Sequence, residues 1–208
     1  MKVVLTIVVL LVAPLIIYGQ ESRIYLGTEI AGKLGWYNLD GRKSAVAPRP
    51  GFRVGFTTTY FMNGAPFIKT EVNLNQFSGR TSNGILREQF LEAGIGAGIR
   101  SSRTLFEIRK RPFVQTFEVG ILYSSLIGRE VAESAGSNFE KVENMDHAYS
   151  NFPLYIDMGV AHFGEVNFFR VSLRLIRSLP SMTIVHKDQS NPVNRRMFSS
   201  ELCVSWSL

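Results

Sequence analysis

The alternation of apolar and polar residues at every second position constrains this chain more than any other feature. In its last segment, Leu202, Val204 and Trp206 alternate with Glu201 and Cys203. Successive side chains of a β-strand point to opposite faces, so this segment has one apolar and one polar face. The pattern predicts an all-β protein. It occurs in residues 24–31, 52–60, 68–75, 91–100, 116–123, 154–161, 168–175 and 201–208.

The charged residues of these segments, together with Lys33 just beyond the first segment, fall on the polar faces. Six are acids and six are bases, so their charges balance, and the apolar faces carry none. The polar faces are also rich in glycine, which suits a narrow tube better than an open solvent face. We therefore expect a lumen charge network with a structural role. Its members are Glu29, Lys33, Arg53, Lys69, Glu71, Glu92, Arg100, Glu118, Asp157, Arg170, Arg174 and Glu201.

Apolar faces toward lipid and charges toward the interior predict an eight-stranded antiparallel up-and-down transmembrane β-barrel. A soluble sandwich with its charges in solvent would alternate in the same way and is the competing architecture. At eight strands, side chains fill the interior of a barrel. We therefore expect the lumen to be plugged by paired charges.

The amino terminus has the parts of a secretory signal. Met1-Lys2 is a short basic start, residues 3–18 carry no charge, and Gly19 is a small residue before Gln20. This predicts a cleaved signal peptide over residues 1–19 and a barrel domain over 20–208, in the outer membrane of a Gram-negative bacterium. An uncleaved anchor is the alternative, although the run contains Pro14 and is short for a span of about 20 residues.

Composition excludes other classes of protein. Cys203 is the only cysteine, so a disulfide framework is excluded. A hydrophobic content of 45% is too high for a disordered chain. No stretch after Gly19 is long and apolar enough for a membrane-spanning helix.

No motif in the chain carries catalysis. Gly94-Ile-Gly96-Ala-Gly98 lies within a predicted strand, where glycines relieve crowding, whereas a nucleotide-binding glycine loop opens a helix. The three histidines lack the spacing of metal ligands. We therefore expect no enzyme activity, no catalytic residue, no metal and no cofactor.

The connections alternate between long and short, with one exception. Residues 101–112 fall where a short periplasmic turn is expected. Either the two strands extend, with the turn near Ser101-Ser102, or the segment is a periplasmic projection. We favour strand extension.

Three features resemble the small outer-membrane barrels of Bacteroidota, the PorT-like group. They are the signal ending Tyr18-Gly19-Gln20, the strand around Gly94-Ile-Gly96-Ala-Gly98, and the strand at residues 202–208 that ends the chain. The resemblance implies an outer-membrane location, and some members of this group are linked to protein secretion. Barrel-insertion strands commonly end in an aromatic residue, whereas this chain ends in Leu208.

These observations favour an integral outer-membrane barrel with a structural, adhesive or secretion-accessory role. A narrow outer-membrane channel and a soluble, lipocalin-like periplasmic ligand binder are the alternatives. The expected partners are outer-membrane lipid and lipopolysaccharide, whose phosphates would meet basic residues of the first and last long connections. An envelope protein partner is possible and a monomer is expected. Nucleic acid is not expected, because the bases form no single outer face.

Overall fold

The long strands of the chain form one antiparallel sheet. The computed structural model describes residues 23–39, 49–62, 65–81, 84–132, 140–141, 149–165, 167–178, 184–185 and 195–207, and the signal predicted at residues 1–19 lies outside them. Its eight long strands are β1 (Arg23–Leu39), β2 (Arg49–Phe61), β3 (Pro66–Thr81), β4 (Gly84–Ile108), β5 (Arg111–Ala132), β6 (Pro153–Phe163), β7 (Phe168–Ser178) and β8 (Arg195–Ser207). Three short strands extend the sheet from β5: Glu140–Lys141, Tyr149–Asn151 and Ile184–Val185.

The sheet closes on itself. Each long strand pairs antiparallel with the next along the chain, and β8 pairs with β1 from Gly27↔Ser207 to Leu39↔Arg195. Closure removes the unpaired backbone edge that hydrocarbon does not tolerate. The eight-stranded up-and-down barrel predicted from the sequence is therefore confirmed. Within the described residues, no helix is long and apolar enough to cross a membrane.

The two faces of each strand separate an apolar exterior from a charged interior. On β1 the side chain of Leu26 is 68% exposed and that of Glu29 is 1% exposed. A soluble periplasmic binder would have the opposite arrangement, with charges in solvent and apolar side chains inside. Arg170 and Glu71, which such a protein would turn outward, are both buried. The barrel is therefore built to sit in a bilayer.

One end of the barrel carries the short connections. Residues 62–65 join β2 to β3, residues 164–167 join β6 to β7, and the described chain begins and ends at the same rim. Outer-membrane barrels place short turns and termini in the periplasm. We call this end the periplasmic mouth.

The connection between β4 and β5 corrects the prediction for residues 101–112. The turn is at Arg109-Lys110, not near Ser101-Ser102. Both strands extend, as favoured, but they continue beyond the rim as a two-stranded projection, so the two alternatives describe one feature. The strands continue because they still pair with each other, from Thr104↔Val114 to Ile108↔Arg111. We call residues 101–114 the β4–β5 hairpin.

A charge on the outer face tests the division between exterior and interior. Ile95→Arg, near the middle of the exposed face of β4, is expected to lower the free energy of unfolding by about 2–4 kcal/mol, because the guanidinium would face hydrocarbon. Leu105→Arg on the β4–β5 hairpin is the matched control, with an expected change within about 0.5 kcal/mol. Equilibrium unfolding in urea, from neutral phospholipid vesicles, measures both. Equal losses would contradict the placement of Ile95 in the membrane.

Candidate functional site

The interior of the barrel holds the densest set of functional groups in the described residues. Eleven of the twelve charged residues singled out from the sequence are buried, and Arg100 is half-buried. Every barrel strand contributes at least one of them, because the period-two pattern turns alternate residues inward on each strand.

Two carboxylates at the centre of the interior are each shared by three bases. Glu29 lies 2.6 Å from Arg53 Nη2, 2.6 Å from Lys69 Nζ and 3.3 Å from Arg174 Nη2. Glu71 lies 3.3 Å, 3.2 Å and 2.8 Å from nitrogens of the same three side chains. Sharing of this kind supplies the partners that a buried charge requires.

The network continues from Arg174 along β6, β7 and β5. Asp157 accepts hydrogen bonds from Arg174 Nε at 3.0 Å and from Arg170 Nη2 at 2.8 Å. Arg170 Nη1 also donates to Glu118 at 2.7 Å. The Tyr155 hydroxyl donates to the same carboxylate at 2.5 Å. In the strand register, Asp157 lies opposite Arg174 on β7 and opposite Glu118 on β5. The register therefore places these three side chains next to one another.

A second branch leads from Arg53 toward the far end of the barrel. Arg53 Nε lies 2.9 Å from Glu201, and Lys33 Nζ lies 3.9 Å from the same carboxylate. Lys33 also donates to Asn75 Oδ1 at 2.5 Å. Asn75 Nδ2 in turn donates to Glu92 at 2.7 Å. The eleven buried charges thus belong to one connected network.

One contact of this network spans the lumen. Arg174 on β7 and Glu71 on β3 stand four strands apart in either direction around an eight-stranded barrel. Their side chains meet at 2.8 Å. Two facing side chains therefore fill the diameter of the barrel at this level.

Arg100 lies at the periplasmic mouth instead of in the central network. Its guanidinium stacks between the rings of Phe61 and Phe163, 5.2 Å from each centroid, which is within the range of cation–π contacts. The two rings belong to an aromatic cluster with centroid distances of 4.7–5.8 Å. Its members are Tyr25, Phe61, Phe67, Phe163 and Phe168.

A buried ion pair that was not predicted from the sequence lies between the charge network and the far end of the barrel. Arg129 Nη2 lies 2.6 Å from Glu88, and both side chains are buried. The apolar–polar alternation of β4 continues from Glu92 back to Glu88. This pattern predicts an inward Glu88, but it lies before residue 91, where the predicted strand began. A half-exposed pair, Arg87 with Glu130 at 3.0 Å, accompanies it.

The glycines of β4 and β5 make room for a large side chain. Gly96 and Gly120 face each other across these strands, and Tyr155 packs over both. A Cβ on Gly96 would lie 2.1 Å from the Tyr155 hydroxyl, and one on Gly120 would lie 2.4 Å from the ring. The prediction that glycine relieves crowding in the lumen is confirmed at these positions.

Some polar atoms of the interior have no partner among the described residues. They include both side-chain atoms of the Asn73 amide and Glu92 Oε2. Within the same residues, no group of three His, Cys, Asp or Glu side chains is arranged to hold a metal ion. His162 Nδ1 lies 2.9 Å from the Pro112 carbonyl oxygen. The other two histidines, His147 and His186, lie outside the described residues.

Comparisons with known proteins identify the fold but no family. No family model and no curated protein match the sequence. Neisserial surface protein A is similar with a TM-score of 0.50 at 11% identity, over 91% of this chain and 100% of that structure. OprG of Pseudomonas aeruginosa has a TM-score of 0.47 at 9% identity, over 88% and 94%. Ail, the attachment invasion locus protein of Yersinia pestis, has 0.40 at 11%, over 91% and 100%.

At these identities the likeness shows the fold alone: a small outer-membrane β-barrel. The closed sheet and the apolar exterior of this chain require a bilayer, and barrels of this kind belong to outer membranes. The chain is an integral outer-membrane β-barrel protein of a Gram-negative bacterium.

Removal of one shared base tests the network. Arg174→Gln is expected to lower the free energy of unfolding by about 3–5 kcal/mol, because Glu71 and Asp157 would lose a buried partner. Arg87→Gln, in the half-exposed pair, is the matched control, with an expected loss of about 0.2–1 kcal/mol. Unfolding titrations of both variants in the same vesicles measure the difference. A loss for Arg174→Gln no larger than that of the control would show that the network contributes little to stability.

Addition of one methyl group tests the packing of Tyr155. Gly120→Ala is expected to lower the free energy of unfolding by about 1–3 kcal/mol, because the new Cβ meets the ring. Gly32→Ala is the matched control, since no atom lies within 4 Å of its Cβ position. It is expected to leave stability unchanged or raise it by up to about 1 kcal/mol. If both variants unfold at the same urea concentration, the close packing of Tyr155 over Gly120 is wrong.

Proposed function

We propose that this chain is a plugged outer-membrane barrel with a structural, adhesive or secretion-accessory role. The contact between Arg174 and Glu71 across the lumen carries this proposal, because two side chains that meet from opposite walls fill the centre of a narrow barrel. The aromatic cluster at the periplasmic mouth supports it, because five rings pack together below the charges. The lumen charge network then has a structural task, holding the eight strands in register.

A non-enzymatic role is part of the same proposal. The carboxylates of the interior are buried and contact bases or other polar side chains of the barrel. His162, the one histidine that the structure describes, contacts a backbone carbonyl at the periplasmic mouth. Neither arrangement offers an accessible nucleophile beside a base, as acyl or glycosyl transfer requires.

The finer assignments rest on the sequence. Membership of the PorT-like group rests on the glycine-punctuated strand β4 and on the last strand. The secretion-accessory role rests on this membership. Binding of lipopolysaccharide phosphates rests on basic residues of the first and last long connections. The structure does not describe the side chains of these basic residues: Arg42, Lys43, Arg49, Lys187, Arg195 and Arg196.

A narrow channel is the second candidate, favoured by the unpartnered polar atoms of the interior. The Asn73 amide and Glu92 Oε2 lie in the lumen without protein partners among the described residues. Water bound to these atoms would hydrate part of the interior. A chain of such waters past Arg174 would turn the plug into a path for small ions.

Conductance separates the two candidates. The full chain, inserted in a planar bilayer at high salt, is expected to show no single-channel steps. Glu29→Ala/Arg53→Ala removes one acid and one base from the plug, leaves its net charge unchanged, and is expected to produce small steps. This variant also shows that the assay detects an opened barrel. Steps of uniform size from the unaltered chain would overturn the plugged lumen and favour the channel.

A further inference from the structure

The β4–β5 hairpin is the part of the described chain that the barrel does not need. At the rim, His162 contacts the Pro112 carbonyl oxygen and the Phe113 ring. The last backbone pairings of these strands with their other neighbours are the bond from Arg100 N to Ala65 O and the pair Val114↔Ala161. Beyond them the two strands pair only with each other. Three residue steps from Val114 to Arg111 carry the hairpin about 10 Å past the rim. The barrel would close equally well with a turn at its rim.

The turn of this hairpin has an unfavourable backbone for its residues. Arg109 has a φ of 50° and Lys110 a φ of 64°, both in the left-handed region. Two-residue hairpin turns of this type favour Asn-Gly, because other residues are strained there. Strain of this kind points toward function when it is observed. Here it places two cations at the tip.

The hairpin is strongly basic. Arg103, Arg109, Lys110 and Arg111 are all exposed, and Glu107 is its only acid. Within the described residues, none of the four bases forms an ion pair. The tip therefore presents an uncompensated positive charge to its surroundings.

The outer face of the hairpin continues the apolar surface of the barrel. Phe113 contacts Phe169, which is exposed on the outside of β7, with centroids 6.5 Å apart. Phe106 stacks on Phe113 at 5.1 Å, and Ile108 follows on the same face of the strand. The order from the membrane outward is therefore aliphatic side chains, stacked rings, one isoleucine, then cations. Membrane-interface anchors have this order.

We propose that the β4–β5 hairpin binds anionic phospholipid in the periplasmic leaflet of the outer membrane. The stacked rings of Phe106 and Phe113 lie at the acyl boundary, and Arg109, Lys110 and Arg111 contact headgroup phosphates. Continuity with the lipid-facing surface favours a lipid over an acidic polypeptide, which would need no apolar stripe joined to the membrane. This proposal does not depend on whether the lumen conducts.

Native mass spectrometry of the full chain in detergent tests the proposal, with phosphatidylglycerol and phosphatidylethanolamine as probes. Each basic residue beside an anionic headgroup layer contributes roughly fivefold to affinity. Arg109→Asn/Lys110→Gly removes two charges and installs the favoured turn, so it folds at least as well as the unaltered chain. It is expected to bind phosphatidylglycerol roughly twenty-fold more weakly. Arg177→Asn, which removes an exposed charge at the other end of the barrel, is the matched control and is expected to leave the affinity unchanged.

Hydrogen–deuterium exchange locates the binding. In vesicles of phosphatidylcholine mixed with phosphatidylglycerol, the amides of residues 101–108 are expected to exchange more slowly than in phosphatidylcholine alone. The Asn-Gly variant is expected to lose this difference. Unchanged phosphatidylglycerol affinity in that variant, or an equal loss in Arg177→Asn, would overturn the proposal. Exchange that is insensitive to lipid but slowed by polyglutamate would overturn it in favour of an acidic protein partner.

Discussion

Thirteen buried charged side chains share the interior of a tube only eight strands wide, and each lies where water cannot easily replace a missing partner. Glu29 and Glu71 meet this demand by contacting three bases each, from β2, β3 and β7. A slip of any strand by one residue would turn its interior charges toward lipid. The register of the whole barrel therefore depends on these contacts as much as on the backbone ladder.

The interior glycines make room for a large side chain that contacts the buried charges. A large interior side chain such as Tyr155 lies against the neighbouring strands only if small residues face it there. Gly96 and Gly120 are these small residues on β4 and β5, and the Tyr155 ring packs over them. From there its hydroxyl reaches Glu118. Glycine, which weakens a strand in isolation, thus makes room for the hydrogen bond from Tyr155 to a carboxylate of the network.

The sequence pattern predicts whether a side chain points inward or outward, but it does not predict which other side chain it contacts. Alternation predicted that Glu71 and Arg174 both point inward, because that depends only on the pleat of one strand. Their contact across the lumen depends on the stagger of eight strands, which no local pattern contains. The alternation also predicts that Arg100 points inward. Arg100 lies at the level of Phe61 and Phe163, however, and stacks on their rings. The turn at Arg109-Lys110 gave no signal, because neither residue is typical of the conformation it adopts.

The two ends of the barrel interior differ in the side chains that line them. At the periplasmic mouth, aromatic rings close the tube, and Arg100 between them is followed directly by the first residue of the β4–β5 hairpin. Toward the far end the interior carries the buried pair Arg129–Glu88, and the neighbouring residues Arg87 and Glu130 form a half-exposed pair on the opposite face of the same strands. Because the side chains in the middle of the barrel contact one another, the proposals made above place partner recognition at these ends. The periplasmic end already presents what recognition requires, since its hairpin combines exposed rings with cations that have no partner in the described part of the chain.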